Sequence, residues 1–240
     1  MGAILAGARQ TAVAISPEQW PPADLTWVNS PANPTGRVHS DQEYLNAIEW
    51  ARANNSVLVS DECYLEFGDN STPTSILQFA NGNNRNILAV HSLSKRSSMA
   101  GYRGAFLIGD KDLVARIREV RKHAGMMVPL PIQKAMTIAL SDETHVAEQR
   151  ARYNARRAKL APALIAAGFK IEYSNAGLYI WCTRNESDWD SVSWLAKLGI
   201  LATPGNFYGE LGNSHIRIAM TATDLQIAEA ATRINAAIKG

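Results

Sequence analysis

The chain has 240 residues, 46% of them hydrophobic, and a formal net charge of +2. That length can bury an ordinary globular core, and a near-neutral balance with no long Lys/Arg run argues against nucleic acid as a partner. No apolar run reaches membrane-spanning length and the N-terminus lacks a signal-peptide pattern. Cys63 and Cys182 have neither metal-ligand nor disulfide-framework spacing, so a metal-free protein of the reducing cytoplasm is expected.

In chain order, AILAGARQ (3–10) reads as a helix and TAVAI (11–15) as a strand. Four β-rich runs follow: LTWVN (25–29), SVLVSD (56–61), NILAVHSL (86–93) and RGAFLIG (103–109). Between the first two, Ser40 and Glu43 have capping-box spacing, and Tyr44, Leu45, Ile48 and Trp50 form a helical stripe. Asp110 is placed to cap the helix KDLVARIREVRKHAG. Strands alternating with helices predict an α/β fold, a mostly parallel sheet sandwiched by helices, with ligands at the carboxyl ends of its strands. A long helix over 142–167 comes next, and its basic stretch RARYNARRAK (150–159) reads as a solvated face. Short strands in FKIEYS, GLYIWC, ILATPG and HIRIAM precede a final helix capped by Thr223 with Gln226. The expected division is a larger domain over 1–150 and a smaller C-terminal α+β domain over 151–240.

Three strand ends carry residues with chemical potential: NSPANPTGRV after the first strand, DECYLEF at the end of the second, HSLSK at the end of the third. Singly, Asn33-Pro34-Thr35-Gly36 reads as a turn, Asp61 as a helix cap and Lys95 as a surface residue. Consecutive parallel strands put all three at one edge, within reach of one ligand. A lysine amine so placed can condense with the aldehyde of pyridoxal phosphate. The carboxylate of Asp61 can keep the cofactor's ring nitrogen protonated. Asn33 and Tyr64 can donate to the phenolic oxygen, while Ser92, Ser94 and Arg103 suit the phosphate. Arg217, inside the apolar run IRIAM, is costly to bury without an anion: a substrate carboxylate or a local Asp or Glu. His91 and His215 read as structural.

NPTG, DECY, SLSKRSSMAGYRGAFLIGD and HIRIAM, in that order, resemble the class I/II, aspartate-aminotransferase-type (fold type I) pyridoxal-phosphate enzymes. The resemblance implies Lys95 as the cofactor-bound lysine, Asp61 as the pyridine partner and Asn33 with Tyr64 on the phenolic oxygen. It also implies Ser92 and Arg103 on the phosphate, Arg217 on the substrate α-carboxylate, and a homodimer using amino acids and 2-oxo acids. SLSKRSSMAGYRGAF and ATPGNFYG…HIRIAMTATD look most like actinobacterial succinyldiaminopimelate aminotransferases, which use glutamate as amino donor in lysine biosynthesis. Arg96 could face a distal substrate carboxylate or the solvent, with solvent the favoured reading. Only about thirty residues precede Asn33. The chain therefore reads as lacking the family's N-terminal third, which carries a phosphate-binding helix N-terminus and a ring-stacking aromatic. A C–S lyase of the same fold and an inactive shortened relative are the competing expectations.

Overall fold

The computed structural model describes residues 2–69 and 73–239. Its helices are α1 (Gly2–Leu5), α2 (Asp41–Ala53), α3 (Ile76–Phe79), α4 (Leu93–Arg96), α5 (Lys111–His123), α6 (Leu130–Leu140), α7 (Thr144–Ala166), α8 (Asp188–Lys197) and α9 (Asp224–Ala237). Strands β1 (Leu25–Asn29), β2 (Val57–Asp61) and β3 (Ile87–Ser92) run parallel in that order, and β4 (Ala105–Gly109) joins β3 antiparallel. The second sheet, of β5 (Lys170–Ile171), β6 (Tyr179–Thr183), β7 (Thr203–Pro204) and β8 (Ile216–Ala219), is antiparallel in the order β5-β6-β8-β7. The expected α/β architecture, with a smaller α+β unit, is the one observed.

Local chemistry explains most boundaries. The Ser40 side chain accepts from Glu43 N–H at 3.3 Å, and Glu43 Oε2 accepts from Ser40 N–H at 2.8 Å, closing the expected capping box. Thr223 and Gln226 do the same for α9, and Asp110 Oδ1 caps α5 through the N–H groups of Asp112 and Leu113. The buried face of α2 is Tyr44, Ala47, Ile48 and Ala51, so Tyr44 and Ile48 lie on it as predicted. Small alanines let the helix approach the sheet, leaving Leu45 and Trp50 at its margin.

Helices α2 and α3 cover one side of the first sheet, in a cluster with Val28, Leu58, Ile76 and Ile87. On the other side α5 lies beside Val57, while Leu25 and Trp27 of β1 stay 56% and 53% exposed. The second cluster joins β6 and β8 to Leu160 and Leu164 of α7 and Ile227 and Ile234 of α9. It also takes in Tyr64 and Phe67, so the segment after β2 belongs to the first sheet by sequence and to the second by packing.

Three readings need correction. TAVAI is not a strand: among the described residues no neighbour supplies a hydrogen-bond ladder, Val13 and Ile15 are exposed, and Trp20 Nε1 donates to Ala14 O at 2.6 Å. The helix expected over 3–10 ends at Leu5, with Gly7 at φ 66°. The basic stretch of α7 is only partly solvated: Arg152 is exposed, but Arg156 Nη1 donates to Met220 O at 2.9 Å and Arg157 Nη2 to Gly177 O at 2.7 Å. These two arginines fasten α7 to the second sheet. The helix itself runs Thr144–Ala166, close to the expected 142–167.

Candidate active site

Sheet register assembles the strand ends. Asn29 pairs with Asp61, and Asp61 with Val90 two residues before the end of β3. The turn after β1 is then tied down, with Ser30 N–H and Asn29 Nδ2 donating to Asp61 O at 3.1 and 2.9 Å. Asn29 Oδ1 accepts from Asn33 N–H at 2.8 Å. Farther along the turn, Thr35 O and Gly36 O accept from Ser174 and Ala176 N–H at 3.0 and 3.2 Å. Gly36 has φ +69°, and a Cβ there would lie 2.6 Å from Ala176 O, so only glycine permits this docking. The turn thus connects the two sheets.

Across that junction Arg217 Nη1 donates to Asn33 Oδ1 at 2.9 Å. Arg217 lies in mid-β8, its guanidinium 3.9 Å from the Tyr179 ring centroid and 5.1 Å from that of Tyr208. Its Nε is buried with no hydrogen-bond partner among the described residues. No carboxylate of those residues pairs with Arg217 either, so the local Asp or Glu left open by the sequence is not what it meets. Two rings and a neutral amide satisfy this cation only in part.

Asp61 ends β2 half-buried, and its Oδ1 accepts from Cys63 N–H at 3.1 Å. Burial, then a hydrogen bond to Asp61 and that carboxylate's charge, push the Cys63 thiol up to about 12, while the Lys95 charge acts the other way. Cys63 therefore feels both Asp61 and Lys95. Tyr64 is buried against Tyr179 with ring centroids 6.1 Å apart. Burial, then a hydrogen bond to Tyr179, hold its hydroxyl above the usual phenol range, and Arg217 opposes this. It remains a neutral donor.

Lys95 is the third residue of the four-residue α4 and is half-buried. Ser92 caps that turn by accepting from Ser94 N–H at 3.1 Å, and its hydroxyl lies 3.5 Å from Gly104 O. Arg103 stands next along this edge, left-handed at φ 55° and exposed, with Nη1 donating to Ala100 O at 2.7 Å. The structure thus gathers Asn33, Tyr64 and Arg217 at one junction, with Asp61 at the end of β2 and Lys95 in the turn after the neighbouring β3. Ser92, Ser94 and Arg103 lie along the adjoining backbone, with the Arg103 guanidinium turned onto its own turn.

Arg96 corrects the sequence reading. It is 6% exposed, so it faces neither solvent nor a distal substrate group. Its Nε lies 3.2 Å from Glu66, Nη1 donates to Ala139 O at 2.8 Å, and Nη2 pairs with Glu143. A second pair, Glu62 with His91, was also missed. Glu62 is fully buried, accepts from Ile76 N–H at 2.9 Å, and lies 3.1 Å from His91 Nε2. His91 stacks on Phe106 and His215 on Trp181, with interplanar angles of 12° and 4°, in keeping with structural roles. The sequence signal for these pairs was present in the acids of DECYLEF and the bases flanking SLSK. Their partners, 29 and 30 positions apart, could not be matched without the fold.

A cofactor that offers an aldehyde, a pyridine nitrogen and a phenolic oxygen fits this donor set: an amine, a carboxylate and a neutral phenol on adjacent strand ends. The orphaned Arg217 Nε adds a place for a carboxylate beside them. Among the described residues no cluster of His, Cys, Asp or Glu could hold a metal, and no helix is long and apolar enough to cross a membrane.

Comparison with known proteins agrees. The family model described as aminotransferase class I and II matches residues 6–234. A probable aminotransferase of Mycobacterium tuberculosis is 50% identical over 237 residues, covering 98% of this chain and 57% of its own length. The 4-dedimethylamino-4-oxo-anhydrotetracycline transaminase of Streptomyces rimosus is 52% identical over 215 residues, covering 89% of this chain and 60% of its own. Among solved structures, the N-succinyldiaminopimelate aminotransferase of M. tuberculosis shares the fold, with TM-score 0.85 at 24% identity over 98% of this chain and 67% of that one. The chain spans 57–60% of the length of these curated relatives.

Proposed function

Because this chain belongs to the class I and II aminotransferases, a pyridoxal-phosphate-dependent family, we propose that it carries the site that moves an amino group between an amino acid and a 2-oxo acid. The observation that carries the reading is Arg217, a partly satisfied cation bridged to Asn33 beside the Tyr64 phenol. When bound, the cofactor supplies an aldehyde for amine exchange and a pyridinium that draws electrons from the substrate α-carbon.

In this reading Lys95 Nζ is the amine that would hold the cofactor and would carry the substrate's α-proton. Asp61 holds the proton on the ring nitrogen, since an opposite charge at contact favours the cation. The Tyr64 hydroxyl and Asn33 Nδ2 donate to the phenolic oxygen, leaving Asn33 Oδ1 on Arg217. Arg217 turns Nε and its remaining N–H toward the substrate carboxylate, fixing the α-carbon for proton transfer. Ser92, Ser94 and Arg103 would hold the phosphate.

The narrower proposal is N-succinyl-LL-diaminopimelate with glutamate and 2-oxoglutarate, in lysine biosynthesis. It rests on the likeness of SLSKRSSMAGYRGAF and the residues around HIRIAM to that subfamily. Arg96 lends it no support, being buried in its own ion pairs. A homodimer is proposed as the working form, in line with the exposed Met126, Met127 and Leu130 before and in α6. The proposed location is the cytoplasm, consistent with two unpaired cysteines.

Borohydride reduction after incubation with pyridoxal phosphate, followed by peptide mapping, tests the anchor. Label at Lys95 is expected, and label on another lysine with Lys95 clean would overturn the assignment. Glutamate-dependent conversion of the cofactor to its amine form separates transfer from lyase chemistry, which would release pyruvate from cystathionine.

A further inference from the structure

Two acid–base ties bracket the Asp61 and Lys95 strand ends. Glu62, one residue past Asp61, lies 3.1 Å from His91, four residues before Lys95. Glu66, five residues past Asp61, lies 3.2 Å from Arg96, one residue after Lys95. The outer tie is the larger, because Arg96 also reaches Ala139 O at the end of α6 and Glu143 before α7. One guanidinium therefore joins four segments at the residue next to Lys95.

The α4 turn depends on such anchors. Four residues are far too few for a helix to persist unaided. Leu93, fully buried, fixes one end of the turn and Arg96 the other, and Ser98 leaves it left-handed at φ 53°. Stability alone is a weak reason for this arrangement. A buried guanidinium carries a desolvation cost that an apolar side chain of similar length avoids. A planar fork held by two carboxylates and a carbonyl, however, specifies orientation in a way an apolar chain does not.

Ser97 extends the clamp. Its Oγ accepts from Arg96 Nη1 at 3.3 Å and lies 3.0 Å from His145 Nε2, whose Nδ1 is 2.9 Å from Asp142 Oδ2. The spacings are those of a Ser–His–Asp relay. Here Asp142 Oδ1 accepts from Thr144 N–H at 2.8 Å at the start of α7, and Ser97 Oγ is held by the guanidinium. The relay connects α4 to α7 rather than freeing a nucleophile.

We propose that Arg96 is a positioning residue for the Lys95 amine, setting its place relative to Asp61 by clamping α4 to the segment that follows β2. This rests on Lys95 being the cofactor anchor. Arg96→Met keeps the packed stem and removes the fork; Ala139 O and Ser97 Oγ lose a donor, and the two carboxylates it releases, Glu66 and Glu143, have solvent access at 22% and 74% exposure. The full chain and its Arg96→Met and Arg96→Lys variants are incubated with pyridoxal phosphate, reduced, and mapped for label at Lys95. In parallel, the cofactor-free proteins receive trace acetic anhydride, and acetylation of Lys95 is read relative to exposed Lys159.

For Arg96→Met, cofactor trapping at Lys95 falls about tenfold and its relative acetylation changes about threefold, while the thermal midpoint stays within a few degrees. Arg96→Lys recovers part of both. Parental trapping and acetylation in folded Arg96→Met would overturn the inference, as would losses that only follow unfolding. Should Arg96→Met not fold, Glu66→Gln removes one arm of the clamp and is read by the same two assays. A parent labelled at some other lysine refutes the anchor, whereas the acetylation ratio still reports whether Arg96 governs the Lys95 amine.

Discussion

Two arginines flank the strand-end site and are handled in opposite ways. Arg96 is buried with two carboxylates and a backbone carbonyl around its fork. Arg217 has two tyrosine rings, one neutral amide oxygen and a buried Nε with no partner among the described residues. A cation whose partners are all supplied by the protein is part of the framework. One whose partners are incomplete has hydrogen-bonding capacity to spare, and the proposed function gives it to the substrate carboxylate. Sequence position points the wrong way, since Arg96 stands among serines and a lysine and Arg217 inside an apolar run.

The comparison breaks most sharply at Arg217. Arg217→Met is expected to lower kcat/KM for glutamate about a hundredfold, a loss of roughly 2–3 kcal/mol of charge-assisted hydrogen bonding. Its thermal midpoint should hold or rise, because a half-buried guanidinium whose Nε has no partner among the described residues is gone. Steady-state kinetics beside thermal unfolding checks both, and a fallen midpoint with unchanged kinetics would reverse the roles of the two arginines. Glu66→Ala is the converse: it leaves the Arg96 cation buried on fewer partners and should cost about 2 kcal/mol of stability in urea unfolding. Arg217→Lys sharpens the point, since charge remains but the fork does not. An intermediate loss of about tenfold is expected, with KM rising more than kcat falls. Smallest is Ser40→Ala, which removes the α2 cap for about 1 kcal/mol and should leave Lys95 labelling unchanged. A labelling change there would show that the site responds to any loss of stability.

Much of the first sheet could be read directly. Alternating β-rich runs and helix caps are local signals, and Ser40–Glu43, Asp110 and Thr223–Gln226 all cap where expected. TAVAI failed because β-propensity requires a partner strand, which no local pattern can supply. In the second sheet, FKIEYS shortened to two strand residues because Tyr173 and Ser174 turn left-handed, at φ 58° and 59°. The basic run of α7 misled for a related reason: charge pattern alone does not show that Arg156 and Arg157 find backbone carbonyls on the neighbouring sheet.

The candidate site divides along the same line. The order of NPTG, DECY and SLSK was enough to nominate Asn33, Asp61, Tyr64 and Lys95, because parallel strands place their carboxyl ends at one edge by topology, while Arg217 was nominated by its place inside the apolar run IRIAM and by the family resemblance. Tertiary structure decided which of these meet and what else holds them. It joined Asn33 to Arg217 across 184 positions and lodged Tyr64 in the second core rather than the first. It also drew Arg96 inward to Glu66 and Glu143. Sequence by itself determined the chemical groups available, because those are written residue by residue. Burial and charge pairing depend on what the rest of the chain brings within a few ångströms, so only the folded chain could surround one arginine with carboxylates and leave the other with an Nε unpartnered among the described residues.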